Sequence, residues 1–285
     1  MSRIAYVNGR YLPLAYASVN IEDRGYQFSD GVYEVCEVKG GRLIDERRHI
    51  ERLGRSLSEL RIVMPMATES LGVIMREVVR RNRVRWGIVY LQITRGVSRR
   101  DHAFPPAGTR PSIVVTARNL DQANAEKLAT EGVAVISVPE NRWERVDIKS
   151  VSLLPNVLAK QTAREHGARE AWFVDKQGFV TEGSSSNAWI VTKNNTVVTR
   201  HVDQGILKGI TRTVVLDIIA AQGFKLDVRP FTMDEAYQAK EAFITSASQT
   251  VMPVIKIDGR PVGNGAPGLL STALRKDYYR HAEVG

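Results

Sequence analysis

Several things are scarce in this chain. There is one cysteine, Cys36, in 285 residues, so no disulfide can close within the chain and no cysteine-rich zinc site can form. A reducing cytoplasm is the expected compartment. Long apolar runs are missing: residues 87–93 fall far short of the roughly 18 that a membrane span needs. The first six residues lack the apolar stretch of a secretory signal. The five histidines (His49, His102, His166, His201 and His281) have no metal-ligand spacing, so no metal is expected. A P-loop and a G-x-S-x-G nucleophile elbow are also absent.

What remains is an ordinary globular composition, 43% hydrophobic and 25% charged, with a formal net charge of +9. The length suggests about two domains at roughly 150 residues each. The densest basic run, Arg80 to Arg85, closes a helix pattern, where cations face the negative end of the macrodipole. No aromatic residues interleave with it and no nucleic-acid motif surrounds it, so nucleic acid is not an expected partner; with no run long enough to span one, neither is a membrane.

Hydrophobic spacing predicts a mixed α/β (α+β) chain in two halves. The first half opens on a hairpin turned at Asn8-Gly9, then a strand over 32–38 turned at Gly40-Gly41. Two helices follow. One carries Ile50, Leu53, Leu57 and Leu60 inward, with Asp45 as its cap; the other carries Leu71, Ile74, Met75 and Val78. Strands at 88–94 and 112–117 bracket a loop rich in Gly, Pro and Arg. The N-terminal α/β domain is placed at 1–118, a polar linker at 119–124 and the C-terminal α/β domain at 125–285. The second half is expected to hold strands at 133–138, 147–150, 171–174, 188–191, 242–245 and 254–257. Its helices fall near 154–166, 209–221 and 269–281.

Three segments stand out, each with a plain alternative. In Asp147-Ile148-Lys149-Ser150, Ile148 and Lys149 face opposite ways. Lys149 is either a solvated surface charge or a pocket amine fit for Schiff-base chemistry. Leu207 to Arg212 is either an ordinary helix start or a phosphate cradle made of free N–H groups and the Thr211 hydroxyl. Arg99-Arg100-Asp101-His102 is either a solvated loop or a carboxylate grip. Ser184-Ser185-Ser186 reads as a polar turn.

Together the segments resemble the fold-type IV pyridoxal-phosphate aminotransferases. The resemblance runs through Glu22 to Val35 (EDRGYQFSDGVYEV), His49 to Leu53, Asp147 to Ser150, Leu158-Ala159-Lys160, Thr181 to Asn187 (TEGSSSN), Leu207 to Arg212, and Phe243 to Ser246. These lie in order along nearly the whole chain. The resemblance implies a two-domain α/β architecture whose C-terminal domain carries the cofactor lysine. It implies pyridoxal 5'-phosphate held by Lys149 as a Schiff base, with Glu182 facing the pyridine nitrogen. Arg52, the backbone of Ile210 and Thr211, and the hydroxyls of Thr211 and Ser248 would meet the phosphate. Arg142 matches an arginine near the cofactor. Ala247 stands where the family often has threonine, so one hydroxyl contact is missing.

The loop from Thr94 to Pro105 resembles the branch of the family that acts on D-amino acids, with an R-x-H pair at Arg100 and His102. Tyr33, Arg100 and His102 would then hold the substrate carboxylate. The implied reaction moves the amino group of a D-amino acid to a 2-oxo acid, in a cytoplasmic homodimer with a shared active site. A branched-chain L-amino-acid aminotransferase and an aminodeoxychorismate lyase of the same fold are the alternatives.

Overall fold

A computed structural model of the chain describes residues 3–285. The chain falls into two compact units. The first takes the chain up to Gln122, with Ile148–Ser152 and Glu283–Gly285; the second takes Ala123–Asp147 and Leu153–Ala282.

The first unit is one six-stranded sheet covered by helices. Its elements are β1 (Ile4–Val7), β2 (Arg10–Pro13), α1 (Arg24–Phe28), β3 (Gly31–Lys39), β4 (Arg42–Leu43), α2 (Glu46–Glu59), α3 (Thr68–Arg81), β5 (Trp86–Thr94) and β6 (Ser112–Asn119). The strand order is β2-β1-β6-β5-β3-β4, antiparallel throughout. Asn8 and Gly9 both take positive φ, the conformation a two-residue hairpin turn requires. On β3 the period-two rule is obeyed: Val32, Glu34, Cys36 and Val38 are buried, and Tyr33, Val35 and Glu37 only half so. Leu53 and Leu57 of α2, and Leu71, Met75 and Val78 of α3, pack into the same core as the apolar members of that buried set. The other face of the sheet carries Tyr33, Tyr90 and Gln92, all half-buried.

The second unit is a nine-stranded mixed sheet. It comprises α4 (Gln122–Glu131), β7 (Val133–Pro139), α5 (Leu154–Glu165), β8 (Glu170–Val174), β9 (Val180–Gly183), β10 (Asn187–Val191), β11 (Val197–Thr199), α6 (Ile210–Ala221), β12 (Leu226–Val228), α7 (Met233–Tyr237), β13 (Glu241–Ser246), β14 (Thr250–Ile257), β15 (Arg260–Pro261) and α8 (Leu269–His281). The order is β12-β11-β10-β13-β14-β7-β8-β9, with β15 on β14. Here β8, β9, β10, β11 and β13 are buried along almost their whole length, while β12 and β15 are exposed. Every residue of β10 is buried; Trp189 stacks on Phe243, while Ala188 and Ile190 join a core with Trp172 and Phe231. Continuous apolar runs are what a sheet covered on both sides demands.

Four details differ from the sequence reading. Asp45 does not cap α2 with its side chain; it takes a left-handed backbone, and its carboxylate accepts the Glu283 N–H at 3.0 Å. The stretch expected as a linker, 119–124, is shorter than expected: β6 ends at Asn119 and α4, a helix with a single buried residue, Ala129, starts at Gln122, with the division between the units at Gln122 and Ala123. Residues 147–150 form no strand: a tight turn from Ile148 to Ser150 leaves only one bridge, Val32 to Ser150. The Lys149 segment groups with the first unit, because Tyr33 N–H donates to the Lys149 carbonyl and Val151 N–H to that of Gly31, both at 3.0 Å. Among the described residues no helix is long and apolar enough to cross a membrane.

Candidate active site

Two sets of candidate residues take shape, one in each unit. In the first, β3 presents Tyr33 and Glu34 to opposite faces. The Lys149 backbone is pinned through the Tyr33 N–H and through its own N–H, which donates to Ser56 Oγ at 3.2 Å. Its amine lies 4.1 Å from the Tyr33 ring centroid. Tyr33 stacks on Tyr90 at 5.7 Å, and the Tyr90 hydroxyl donates to Gln92. Burial and the neighbouring Tyr33 push the Tyr90 phenol up to about 12.

On the buried face, α2 places His49 and Arg52 three residues apart, hence on one side of the helix. Both reach Glu34. Arg52 donates through Nε at 2.7 Å and Nη2 at 2.8 Å, and His49 Nδ1 lies 2.7 Å from the same carboxylate. Burial pushes the Glu34 carboxyl up, but Arg52 and His49 hold it well below the usual carboxylate range. Burial also lowers His49, more than Glu34 raises it. Because an ionised carboxylate can only accept, the Nδ1 of His49 carries the hydrogen in this contact.

The loop with Arg100 and His102 is docked on α1. Arg100 and Arg24 each lie 4.8 Å from the Phe28 ring centroid, and the His102 ring lies 5.4 Å from it. Arg24 is 3% exposed; it pairs with Asp30 at 2.8 Å and donates to the Asp101 carbonyl at 2.6 Å. Arg95 also pairs with Asp30 and lies 3.7 Å from the Phe104 ring centroid. Arg100 and His102 themselves are exposed.

In the second unit Glu182 sits near the end of β9, 5% exposed. Three donors meet it: Arg142 Nη1 at 2.6 Å, Asn187 Nδ2 at 3.0 Å and Leu207 N–H at 3.2 Å. Arg142 is shared with Glu140, through Nε at 2.9 Å and Nη2 at 2.6 Å, and lies 4.3 Å from the Phe173 ring centroid. Burial raises the Glu182 carboxyl, and Arg142 with the Leu207 N–H does not bring it back. Burial works against the Arg142 charge, yet Glu182 and Glu140 keep it above its usual value.

α6 starts after Gly209 with no side-chain cap, leaving the first-turn N–H groups of Ile210 and Thr211 at a buried helix end. Ser248 is exposed in the turn between β13 and β14, next to Ala247. Ser184, Ser185 and Ser186 all donate to buried Glu170, the latter two at 2.8 and 3.1 Å, as a polar turn would. Arg80 and Arg81 both pair with Glu77 at 2.7 Å.

The structure therefore brings Lys149 to Tyr33, Arg142 to Glu182, and Arg100 and His102 to one ring. Glu34, His49, Glu140 and Asn187 are not singled out as site residues by the sequence. For Glu34 a signal exists: an acidic residue on the buried face of an alternating strand needs a cation, and His49 and Arg52 follow on the next helix.

The pattern of the Amino-transferase class IV family matches residues 31–257, and the chain belongs to that family. Among curated relatives, the D-alanine aminotransferase of Bacillus licheniformis is 43% identical over 264 residues, 93% of this chain and 92% of its own. That of Staphylococcus aureus (strain MSSA476) is 37% identical over 279 residues, 98% of this chain and 97% of its own. Among solved structures, the branched-chain aminotransferase of the thermophilic archaeon Thermoproteus uzoniensis, with norvaline, superposes with a TM-score of 0.85 at 26% identity, over 100% of this chain and 99% of that one.

Proposed function

We propose that the chain is a pyridoxal-phosphate-dependent transaminase that moves the amino group of a D-amino acid to a 2-oxo acid, of the type D-alanine plus 2-oxoglutarate giving pyruvate plus D-glutamate. The observation that carries this reading is the nearly full-length match to relatives named D-alanine aminotransferase. The chain's own residues suit the cofactor in three ways. An amine lies over an aromatic ring, a buried carboxylate is met by three donors, and a buried helix end lacks a side-chain cap.

Lys149 would hold the cofactor covalently through Nζ. When bound, the cofactor supplies a protonated ring that draws electrons from the carbon losing its proton. Glu182 would keep the positive charge on that ring nitrogen, and Arg142 would orient Glu182. Arg52, the N–H groups of Ile210 and Thr211, and the hydroxyls of Thr211 and Ser248 would hold the phosphate. Glu34 and His49 fix the Arg52 guanidinium. The Lys149 amine is the group that would carry the proton leaving the substrate Cα. Tyr33, Arg100 and His102 would receive the substrate carboxylate, Arg100 through two parallel hydrogen bonds.

A cytoplasmic homodimer in which one protomer lends Arg100 and His102 to its partner's site belongs to the same proposal. Mixing Lys149→Ala with Arg100→Ala chains then restores part of the activity that each lacks alone. One spectral titration tests the whole reading. D-Alanine shifts the visible band and L-leucine hardly does; a shift with L-leucine alone moves the assignment to branched-chain substrates. Borohydride reduction and peptide mapping should leave the pyridoxyl mark on Lys149.

A further inference from the structure

Asn187 opens β10 just beyond the three serines, and it is 5% exposed. Its Nδ2 donates at 3.0 Å to Glu182 Oε2 and at 3.0 Å to the Leu207 carbonyl. Both neighbours only accept, which fixes the orientation of the amide. The Leu207 N–H returns to the same Glu182 oxygen at 3.2 Å, closing a ring of three residues. The other end of the amide faces the helix entrance. A Cβ built on Gly209 would lie 2.0 Å from Asn187 Oδ1 and 3.2 Å from Arg212 Cβ. The Gly209 backbone itself is ordinary extended chain, with φ at −63°. What requires glycine there is the space the amide occupies, not the backbone angle. From Gly209 the helix begins, with the Thr213 N–H donating to the Gly209 carbonyl at 3.0 Å.

We infer that Asn187 ties the Glu182 carboxylate to the entrance of α6, so that the ring-nitrogen partner and the phosphate cradle form one coupled unit. Asn187 is thus a positioning residue. The inference rests on the function proposed above and adds a residue to its binding machinery. The side-chain chemistry is restrictive. Only an amide offers a donor pair and an acceptor on so short an arm. An aspartate at this position would set a second carboxylate against Glu182.

The test titrates the full chain, freed of cofactor, separately with pyridoxal phosphate, pyridoxal and inorganic phosphate. In Asn187→Ala, affinity for pyridoxal and for inorganic phosphate both fall, each by about tenfold or more. A fall in only one of them, or in neither, overturns the inference. A double-mutant cycle supplies a readout that a merely structural role would not move. Gly209→Ala drives its new methyl group into the amide and weakens binding of pyridoxal phosphate. Asn187→Ala/Gly209→Ala, relieved of that clash, binds no more weakly than Asn187→Ala alone. Losses that simply add overturn the coupling. Should Asn187→Ala not fold, Asn187→Ser takes its place in both arms. Wild-type chain that fails to bind pyridoxal phosphate removes the proposed function and this inference with it; wild-type binding with unchanged variants removes this inference alone.

Discussion

Glu34 and Glu182 are both buried, at 1% and 5% exposure, and both meet an arginine, yet their carboxyls are shifted in opposite directions. Glu34 receives a guanidinium through two hydrogen bonds and an imidazole N–H besides. Glu182 receives one contact from a guanidinium that Glu140 also holds, plus an amide and a backbone N–H. Burial costs each of them, and the share of cationic charge decides the outcome. In the first unit the carboxylate is a settled anion that props Arg52. In the second it is an anion held at a cost, and a cationic ring nitrogen placed against it would lower that cost. On the proposed function, one serves as scaffold and the other as a partner for charge.

The strongest way to break this contrast is to neutralise each in turn. Glu34→Gln leaves the Arg52 guanidinium buried against a neutral amide, and the urea midpoint should report a loss of about 3–5 kcal/mol. In Glu182→Gln the large effect falls on turnover, down about a hundredfold or more, while cofactor-free stability changes little. Equal stability losses in both variants would erase the distinction. Next comes His49→Ala, which removes one donor from Glu34 and should cost about 1–3 kcal/mol by the same measurement. The smallest effect is in pH dependence. The depressed Glu34 carboxyl stabilises the fold above its unfolded value, and that share is lost only as pH falls through the lower folded value. The raised Glu182 carboxyl works the other way: its penalty is present above the folded value and is relieved as pH falls through it. The stability of wild type relative to Glu182→Gln, followed by urea midpoint, should therefore rise on acidification. A relative fall would reverse the assigned direction.

The first unit is the more legible of the two. β3 alternates because one face of its sheet is covered, so the strand and its inward side chains can be read directly from spacing. Inner strands of the second unit such as β10 and β13 are buried on both faces, and their largely apolar runs say little about direction or neighbours. α4 escapes a reading by pattern because its composition is polar and it buries only Ala129, which leaves no amphipathic stripe. Asp45 looks like a helix cap in the sequence, but its carboxylate is taken by Glu283, 238 positions away, a pairing no local rule foresees. Lys149, Glu182 and Arg52 are proposed as site residues on the strength of family motifs. Asn187 lies inside one of those motifs, but its importance comes from Leu207 and Gly209, which only the folded chain sets beside it.

On the function proposed above, the Phe28 ring has a practical consequence for anyone redesigning substrate choice. Arg100 and His102 both lie against the Phe28 ring, while Arg24, at the same ring, fastens the main chain of their loop. A transplanted recognition loop, or a randomised library confined to positions 100 and 102, would inherit a platform cut for the old pair. Varying position 28 together with those two, and leaving Arg24 and Asp30 alone, gives new side chains a floor of their own to rest on.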